Sequence, residues 1–366
     1  MGRAWTKRRT TGRRAAVLAT SILLALAAAS VAIASTASMS GCSNAAASAK
    51  TKLYVLSAGY TDALVIESNG VFGIVDSGES ADYPDGSDPR YPLRDGIDTD
   101  PNRGVEKFLF ELLDGLGVSA EKGNLQFYIG THPHSDHIGT AYEVIERYRP
   151  KYVYTPLYDD SMISDKERLW DNQYVYDKLV NAAHQYGSVL IQTFKMGAEE
   201  YPIANENGDA VGSPDFMLGE AHISIKGFNK STEANSIEDA NEISLQVLME
   251  TNNYKTLLLG DIESVGPDEQ IIAETIGKVD VLKLGHHGNE GAGSGSFIRT
   301  LSPKYVIQTG AEGGLASETT RALMDVGAKL YPTSKAVDER LNAIVFYYAD
   351  RGITANMEPG ELGANR

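Results

Sequence analysis

Five of the seven histidines in this 366-residue chain fall in two short turns. The first, Thr131-His132-Pro133-His134-Ser135-Asp136-His137-Ile138-Gly139, gathers three histidines and a carboxylate directly after the apolar run 125–129. Neutral imidazoles and carboxylates suit Zn²⁺ and related divalent ions, and the H-x-H-x-D-H spacing lets two ligand pairs face two adjacent ions. A polar turn that happens to be rich in histidine would need no metal, but the concentration of the histidines into two turns argues for a metal site.

The second turn, Leu284-Gly285-His286-His287-Gly288, follows the apolar run 279–284. Between the turns, Leu257-Leu258-Leu259-Gly260-Asp261 brings an aspartate to the end of another apolar run, and Val71-Phe72-Gly73-Ile74-Val75-Asp76 does the same upstream. Four β-like runs ending in His or Asp predict one sheet edge lined with ligands.

The elements that must position these residues alternate along the chain without internal repeats. Strands are expected at 52–56, 63–67, 71–75, 125–129, 189–193, 221–227, 244–250, 256–259, 279–284, 305–309, 330–332 and 343–348. Helical periodicity covers 105–116, 140–148, 166–186, 294–301 and 317–326. Residues 79–103, rich in Asp, Gly and Pro, read as a long functional loop. Two sheets covered by outer helices, an αββα sandwich of the α/β class, bury these faces economically. The length supports one such core and no second large domain, placing a catalytic domain at 52–357 and a C-terminal tail at 358–366.

These turns and strands resemble the metallo-β-lactamase fold. The loop 76–98, the segment 167–178, the turn 131–139 and residues 277–287 are similar to the catalytic modules of teichoic acid phosphorylcholine esterases of pneumococci. A more distant resemblance, through residues 59–62, 241–245 and 286–288, reaches the hydrolase domains of competence proteins. The resemblance implies two divalent ions, Zn²⁺ or alternatively Mn²⁺, with His132 and His134 on one, Asp136 and His137 on the other, and Asp261 bridging. One of His286 and His287 completes the shell and the other touches the phosphoryl group or leaving group. Adjacent strand residues face opposite ways, so sequence leaves that choice open. His286 is assigned as the ligand, with His287 and Asp136 as the catalytic groups. Asp62 and Asp76 are expected to orient the histidines, and Asn241 to contact the site or substrate. Two such ions supply a hydroxide near neutral pH and clamp phosphoryl oxygens, which suits a phosphodiester.

The chain also departs from that pattern. Its tryptophans are Trp5 and Trp170, so it carries no choline-binding repeats. Gly288 stands where the esterases have a third histidine, and the loop 310–315 is shorter and lacks a tryptophan. His184 sits in a helical pattern and His222 in an alternating strand, so both read as structural. Trp170, Tyr158, Tyr174 and Tyr176 are expected to form an aromatic box for a quaternary ammonium, with core packing as the plainer explanation of each.

Residues 1–41 hold six basic side chains, no acid and an apolar run at 15–34, the form of an export signal. The sole cysteine, Cys42, lies in a lipobox-like Ser-Met-Ser-Gly-Cys and predicts a lipid anchor in the membrane, followed by a linker to residue 51. An uncleaved membrane anchor and cleavage near 32–35 are the alternatives. The paired arginines leave the export route open. From residue 42 onward the net charge is −22, which disfavours polyanionic partners such as nucleic acid and attracts cations. The sequence therefore predicts an exported two-metal phosphodiesterase acting on phosphorylcholine esters. The alternatives are a nuclease-like or lactone/thioester hydrolase of the same fold, or a choline-binding lipoprotein without turnover.

Overall fold

A computed structural model describes residues 48–192, 214–227, 237–264 and 268–363. The export segment and Cys42 lie outside the described residues, as does Thr193 at the end of one expected strand. The described residues from 49 onward form one compact unit. No helix among the described residues is long and apolar enough to cross a membrane.

The strands in chain order are β1 (Thr51–Leu56), β2 (Ala63–Ser68), β3 (Val71–Ser77), β4 (Leu125–Ile129), β5 (Tyr152–Tyr154), β6 (Val189–Ile191), β7 (Asp215–Leu218), β8 (Ala221–Lys226), β9 (Gln246–Thr251), β10 (Tyr254–Leu258), β11 (Val281–Lys283), β12 (Tyr305–Gln308), β13 (Lys329–Pro332), β14 (Ala343–Ala349) and β15 (Gly352–Ala355). The helices are α1 (Glu106–Leu116), α2 (Ser135–Ile138), α3 (Ala141–Tyr148), α4 (Asn172–Tyr186), α5 (Asp268–Ile276), α6 (Gly295–Leu301), α7 (Ser317–Val326) and α8 (Thr333–Asp338).

Among the described residues the strands build two sheets, ordered β15-β14-β1-β2-β3-β4-β5-β6 and β13-β12-β11-β10-β9-β8-β7. Alternation along the strands divides the apolar side chains into three layers. Leu53, Val55, Leu64 and Ile66 of one sheet meet Val247, Met249, Leu258 and Val281 of the other in a central core. The opposite face of the first sheet packs Ile74 and Tyr128 against Leu109, Val144, Ile145 and Leu179 of its helices. The opposite face of the second packs Leu257 and Leu282 against Ile272, Ile298 and Leu323. Helix, sheet, sheet and helix thus follow one another. This is the αββα sandwich of the α/β class that the sequence predicts.

Two differences from the expected elements bear on the site. The helix expected over 166–186 is broken: a 3₁₀ turn at Lys166–Arg168 ends before Trp170, whose φ of 34° is left-handed, and α4 starts at Asn172. The strand expected from 244 starts at Gln246, because Ala240–Ile243 is a 3₁₀ turn closed by a capping box between Asp239 and Glu242. At the far end of the chain, Gly360 bridges Leu330, so residues beyond 357 return to β13.

Candidate metal centre

The site lies where two parallel strand pairs end, β3 with β4 in one sheet and β10 with β11 in the other. Asp76, the penultimate residue of β3, has a left-handed φ of 55°, a costly conformation for a residue with a Cβ. The bend turns its carboxylate onto the histidine turn. Asp76 accepts hydrogen bonds from the Thr131 amide and hydroxyl, each at 2.7 Å, and lies 2.8 Å from His137 Nδ1. The turn then enters α2, whose Asp136 carbonyl accepts from the Asp62 amide at 3.0 Å and the Thr61 hydroxyl at 2.7 Å. Both carboxylates named as orienting groups therefore sit against the turn.

The imidazoles converge on Asp261. His137 presents Nε2 to Asp261 Oδ1 at 3.0 Å while Asp76 holds its Nδ1. His287 presents Nε2 to Asp136 Oδ2 at 3.1 Å and Asp261 Oδ2 at 3.4 Å, with Thr309 Oγ1 at 3.0 Å and Asp62 Oδ1 at 3.3 Å from its Nδ1. His132 Nε2 lies 3.0 Å from His134 Nδ1, and its own Nδ1 faces Thr131 Oγ1 at 3.1 Å. His134 turns its Nε2 toward Asp239 Oδ1 at 3.4 Å. Donor atoms of His132, His134 and Asp261 form one compact set, and those of Asp62, His137, Asp261 and His287 a second; Asp261 belongs to both.

His286 and His287 part company because they are not on the strand. Both occupy left-handed backbone, φ 43° and 56°, inside the Gly285–Gly288 turn. The turn sends His287 into the cluster, 2% exposed, and His286 to Glu263, with Nδ1 2.5 Å from the carboxylate. The pair is thus exchanged relative to the sequence assignment: His287 stands at the ligand position expected for His286. Strand alternation could not settle this, since no strand carries either residue.

Electrostatics follow from burial. Buried imidazoles disfavour charge, yet Asp261, Asp76, Asp136 and Asp62 outweigh that and hold the His137 pKa well above its usual value. His287 is raised likewise, burial being outweighed by Asp261, Asp136 and Asp62. His132 is pushed well below the usual range by burial and by the neighbouring His137 and His134. Burial opposes the charge of Asp261, but His137 and His287 keep its pKa well below the carboxylate range. The cluster demands positive charge between its carboxylates. His137 Nε2, His134 Nε2 and Asp261 Oδ1 are buried and make no hydrogen bond. Imidazole nitrogens and a shared carboxylate converging in this way, each imidazole backed by a carboxylate or hydroxyl, fit two divalent ions.

No protein-family model matches the chain. Among curated proteins it is similar to ComE operon protein 3 of Bacillus subtilis (strain 168), 29% identical over 202 residues, covering 55% of this chain and 21% of that protein. It is also similar to Recombination protein 2 of Haemophilus influenzae, 37% identical over 67 residues, covering 18% of this chain and 8% of that protein. The chain therefore spans about a fifth or less of the length of these relatives. Among solved structures, the metallo-β-lactamase fold protein YhfI from Bacillus subtilis aligns at a TM-score of 0.44 and 11% identity over 77% of this chain and 96% of that one. The short form of human tRNase Z aligns at 0.38 and 14% over 71% and 92%.

An open cavity of about 660 Å³ reaches the cluster, lined by His134, Asp136, Asp261 and His286 together with Trp170, Asn241 and several carboxylates. Asn241 lines it, with a buried Oδ1 that makes no hydrogen bond. The expected aromatic box is not assembled. Of its four members Trp170 alone lines the cavity, its indole edge-on to the His134 ring at 5.0 Å. Tyr158 and Tyr176 are buried in the core beside each other, and the Tyr174 hydroxyl donates to Asp82. Tyr174 and Tyr176 lie two apart on one helix and so point to different faces, Tyr176 into the core beside Tyr158 and Tyr174 toward Asp82. His184 and His222 lie away from the cluster, the latter beside Asp215 and Glu250.

Sequence reasoning missed several contributors. The buried Lys283 of β11 pairs with Asp62, and Asp239 backs His134. Arg103, 3.4 Å from Glu79 and 3.7 Å from Asp171, forms a buried charged wall of the cavity. Burial, further favoured by Asp136 and Asp171 and opposed by Arg103, pushes Glu79 up to about 8. The loop 79–103 is tied down by Arg94, which donates to the Trp170 carbonyl at 2.8 Å and pairs with Asp160 at 2.8 Å, while Gly96 lies against the indole. A lysine within an apolar run and an Asp before a turn were the available signals, and neither names a partner by itself.

Proposed function

We propose that this chain is a two-metal hydrolase of phosphodiesters, acting on esters that carry a cationic group such as phosphorylcholine. The observation that carries the reading is the convergence of His132, His134, His137 and His287 on the shared carboxylate of Asp261. His132, His134 and Asp261 would hold one ion; Asp136, His137, His287 and Asp261 the other. When bound, such a pair supplies a hydroxide at neutral pH and neutralises charge on the phosphoryl oxygens. Asp76 and Asp62 fix the tautomers of His137 and His287, so that Nε2 of each points inward. His286, half-buried at the cavity wall, is raised in pKa: burial opposes its charge, but Glu263 and Asp261 outweigh it. It is placed to carry a proton for the departing alkoxide.

The walls favour a diester over a monoester dianion. Asp98, Asp171, Asp239, Glu263 and Glu290 line the cavity with Arg103 and Arg168 as the basic residues among its lining, a field that repels a second negative charge and attracts an ammonium. Trp170 offers that ammonium one aromatic face. The export signal and Cys42 are consistent with a lipid-anchored protein at the outer face of the membrane.

The competence-protein relatives favour a second reading, hydrolysis of nucleic acid. Against it stand the net charge of −22 from residue 42 onward and the acidic cavity. One screen separates them: the purified protein with Zn²⁺ or Mn²⁺ should turn over p-nitrophenyl phosphorylcholine and bis-p-nitrophenyl phosphate, and leave nitrocefin and single-stranded DNA intact. Cleavage of DNA alone would transfer the proposal to the second reading.

A further inference from the structure

Lys283 is a fully buried lysine at the heart of the cluster. Its neighbours Leu282 and Leu284 pack outward among the helix-facing side chains, so alternation along β11 directs Lys283 between the sheets. Its ammonium pairs with Asp62 Oδ2, donates to the Gly260 carbonyl at 2.9 Å and stands 3.6 Å from Asp261 Oδ1. Asp62 in turn lies 3.3 Å from His287 Nδ1.

Distance alone would admit Asp62 as a metal ligand, since its carboxylate belongs to the same compact set as His137, Asp261 and His287. With Asp136 beside His287, an ion there would then face three carboxylates. We infer that Lys283 is a positioning residue that holds Asp62 out of the coordination shell and thereby sets which metal the second site prefers. A carboxylate already neutralised by a fixed ammonium is a weak ligand, but it can still accept from a histidine. The shell left behind, two imidazoles and two carboxylates, suits Zn²⁺. A third carboxylate would shift the balance toward oxygen-seeking ions such as Mn²⁺. The Gly260 contact has a second effect: it fixes the peptide immediately before Asp261, where φ is 55°, and so helps to aim the shared carboxylate.

This inference rests on the metal reading above, and the test separates the two. Wild type, Lys283→Met and the double variant Asp62→Asn/Lys283→Met are titrated with Zn²⁺ and with Mn²⁺ against a competing chelator, and their melting temperatures are taken with and without metal. Lys283→Met should raise the affinity for Mn²⁺ relative to Zn²⁺ by about tenfold, since the freed Asp62 adds a third carboxylate oxygen to the shell. The double variant should return the ratio to within about threefold of wild type and melt higher than Lys283→Met when metal-free, because it leaves no unpaired buried charge. If Lys283→Met does not fold, Lys283→Gln, which keeps a hydrogen-bond donor but not the charge, is titrated in its place, and the same rise in the ratio is expected. An unchanged ratio in Lys283→Met, or a raised ratio that persists in the double variant, overturns it. A wild-type protein that binds neither ion overturns the metal reading itself.

Discussion

At the scale of single residues the account turns on side chains with two faces, one toward the reacting centre and one toward a supporting group. Asp261→Ala should abolish metal binding and phosphodiester hydrolysis together, because both donor sets share it, and His134→Ala should do so for the set it belongs to. Asp76→Asn keeps the shape but presents an amide where Thr131 and His137 need an acceptor. It should weaken metal affinity about 10- to 100-fold, measurable by chelator competition. Glu79 gives a pH test. Its folded-state pKa, about 8, exceeds its ordinary 4.5, so the folded protein holds a proton that the unfolded chain releases across that interval. Stability of the metal-free protein should therefore fall as pH rises from about 5 to 8, and Glu79→Gln should flatten that slope. A variant whose melting temperature tracks wild type over the same range would contradict the assignment.

At the scale of elements, strained turns at strand ends do the positioning. Gly288 sits at φ 80°, where an added Cβ would come within 2.6 Å of Leu315 Cδ2. Gly288→Ala should lose about 1–3 kcal/mol in a denaturant titration, and metal affinity should drop with it as His287 shifts. Arg94→Ala should free the loop 79–103 from Trp170, raising KM for p-nitrophenyl phosphorylcholine while metal content stays at the wild-type level. The strands and the His and Asp residues at their ends were legible because apolar runs, each leading to His or Asp, announce both their sheet and their carboxyl ends. Roles decided by turn geometry were not legible: the histidine pair was exchanged because Gly285–Gly288 is a left-handed turn. Tyr174 and Tyr176 could not both join the expected box because residues two apart on a helix point to different faces, and Tyr158 packs with Tyr176 in the core. Partners far apart in sequence, such as Lys283 with Asp62 or Asp239 with His134, depend on the two sheets meeting, which no local pattern encodes.

At the scale of the whole molecule, the acidity of the chain bears on which substrates approach it. With net charge −22 from residue 42 onward, a diester with a neutral head, which carries one negative charge, should be turned over better as salt screens the repulsion, while a zwitterionic phosphorylcholine ester should respond less. Cys42→Ser should move the protein from the detergent phase to the aqueous phase if the lipid anchor is correct; a wild type already in the aqueous phase with a mature start before Cys42 would refute it. The central claim, that two ions share Asp261 and carry phosphodiester hydrolysis, is tested most directly by stepwise zinc titration of the chelated protein with bis-p-nitrophenyl phosphate as substrate. The account predicts that activity appears with bound metal, saturates at two ions per chain and is absent at every step in Asp261→Ala. Full activity in protein shown by elemental analysis to hold no metal, or undiminished activity in Asp261→Ala, would contradict it.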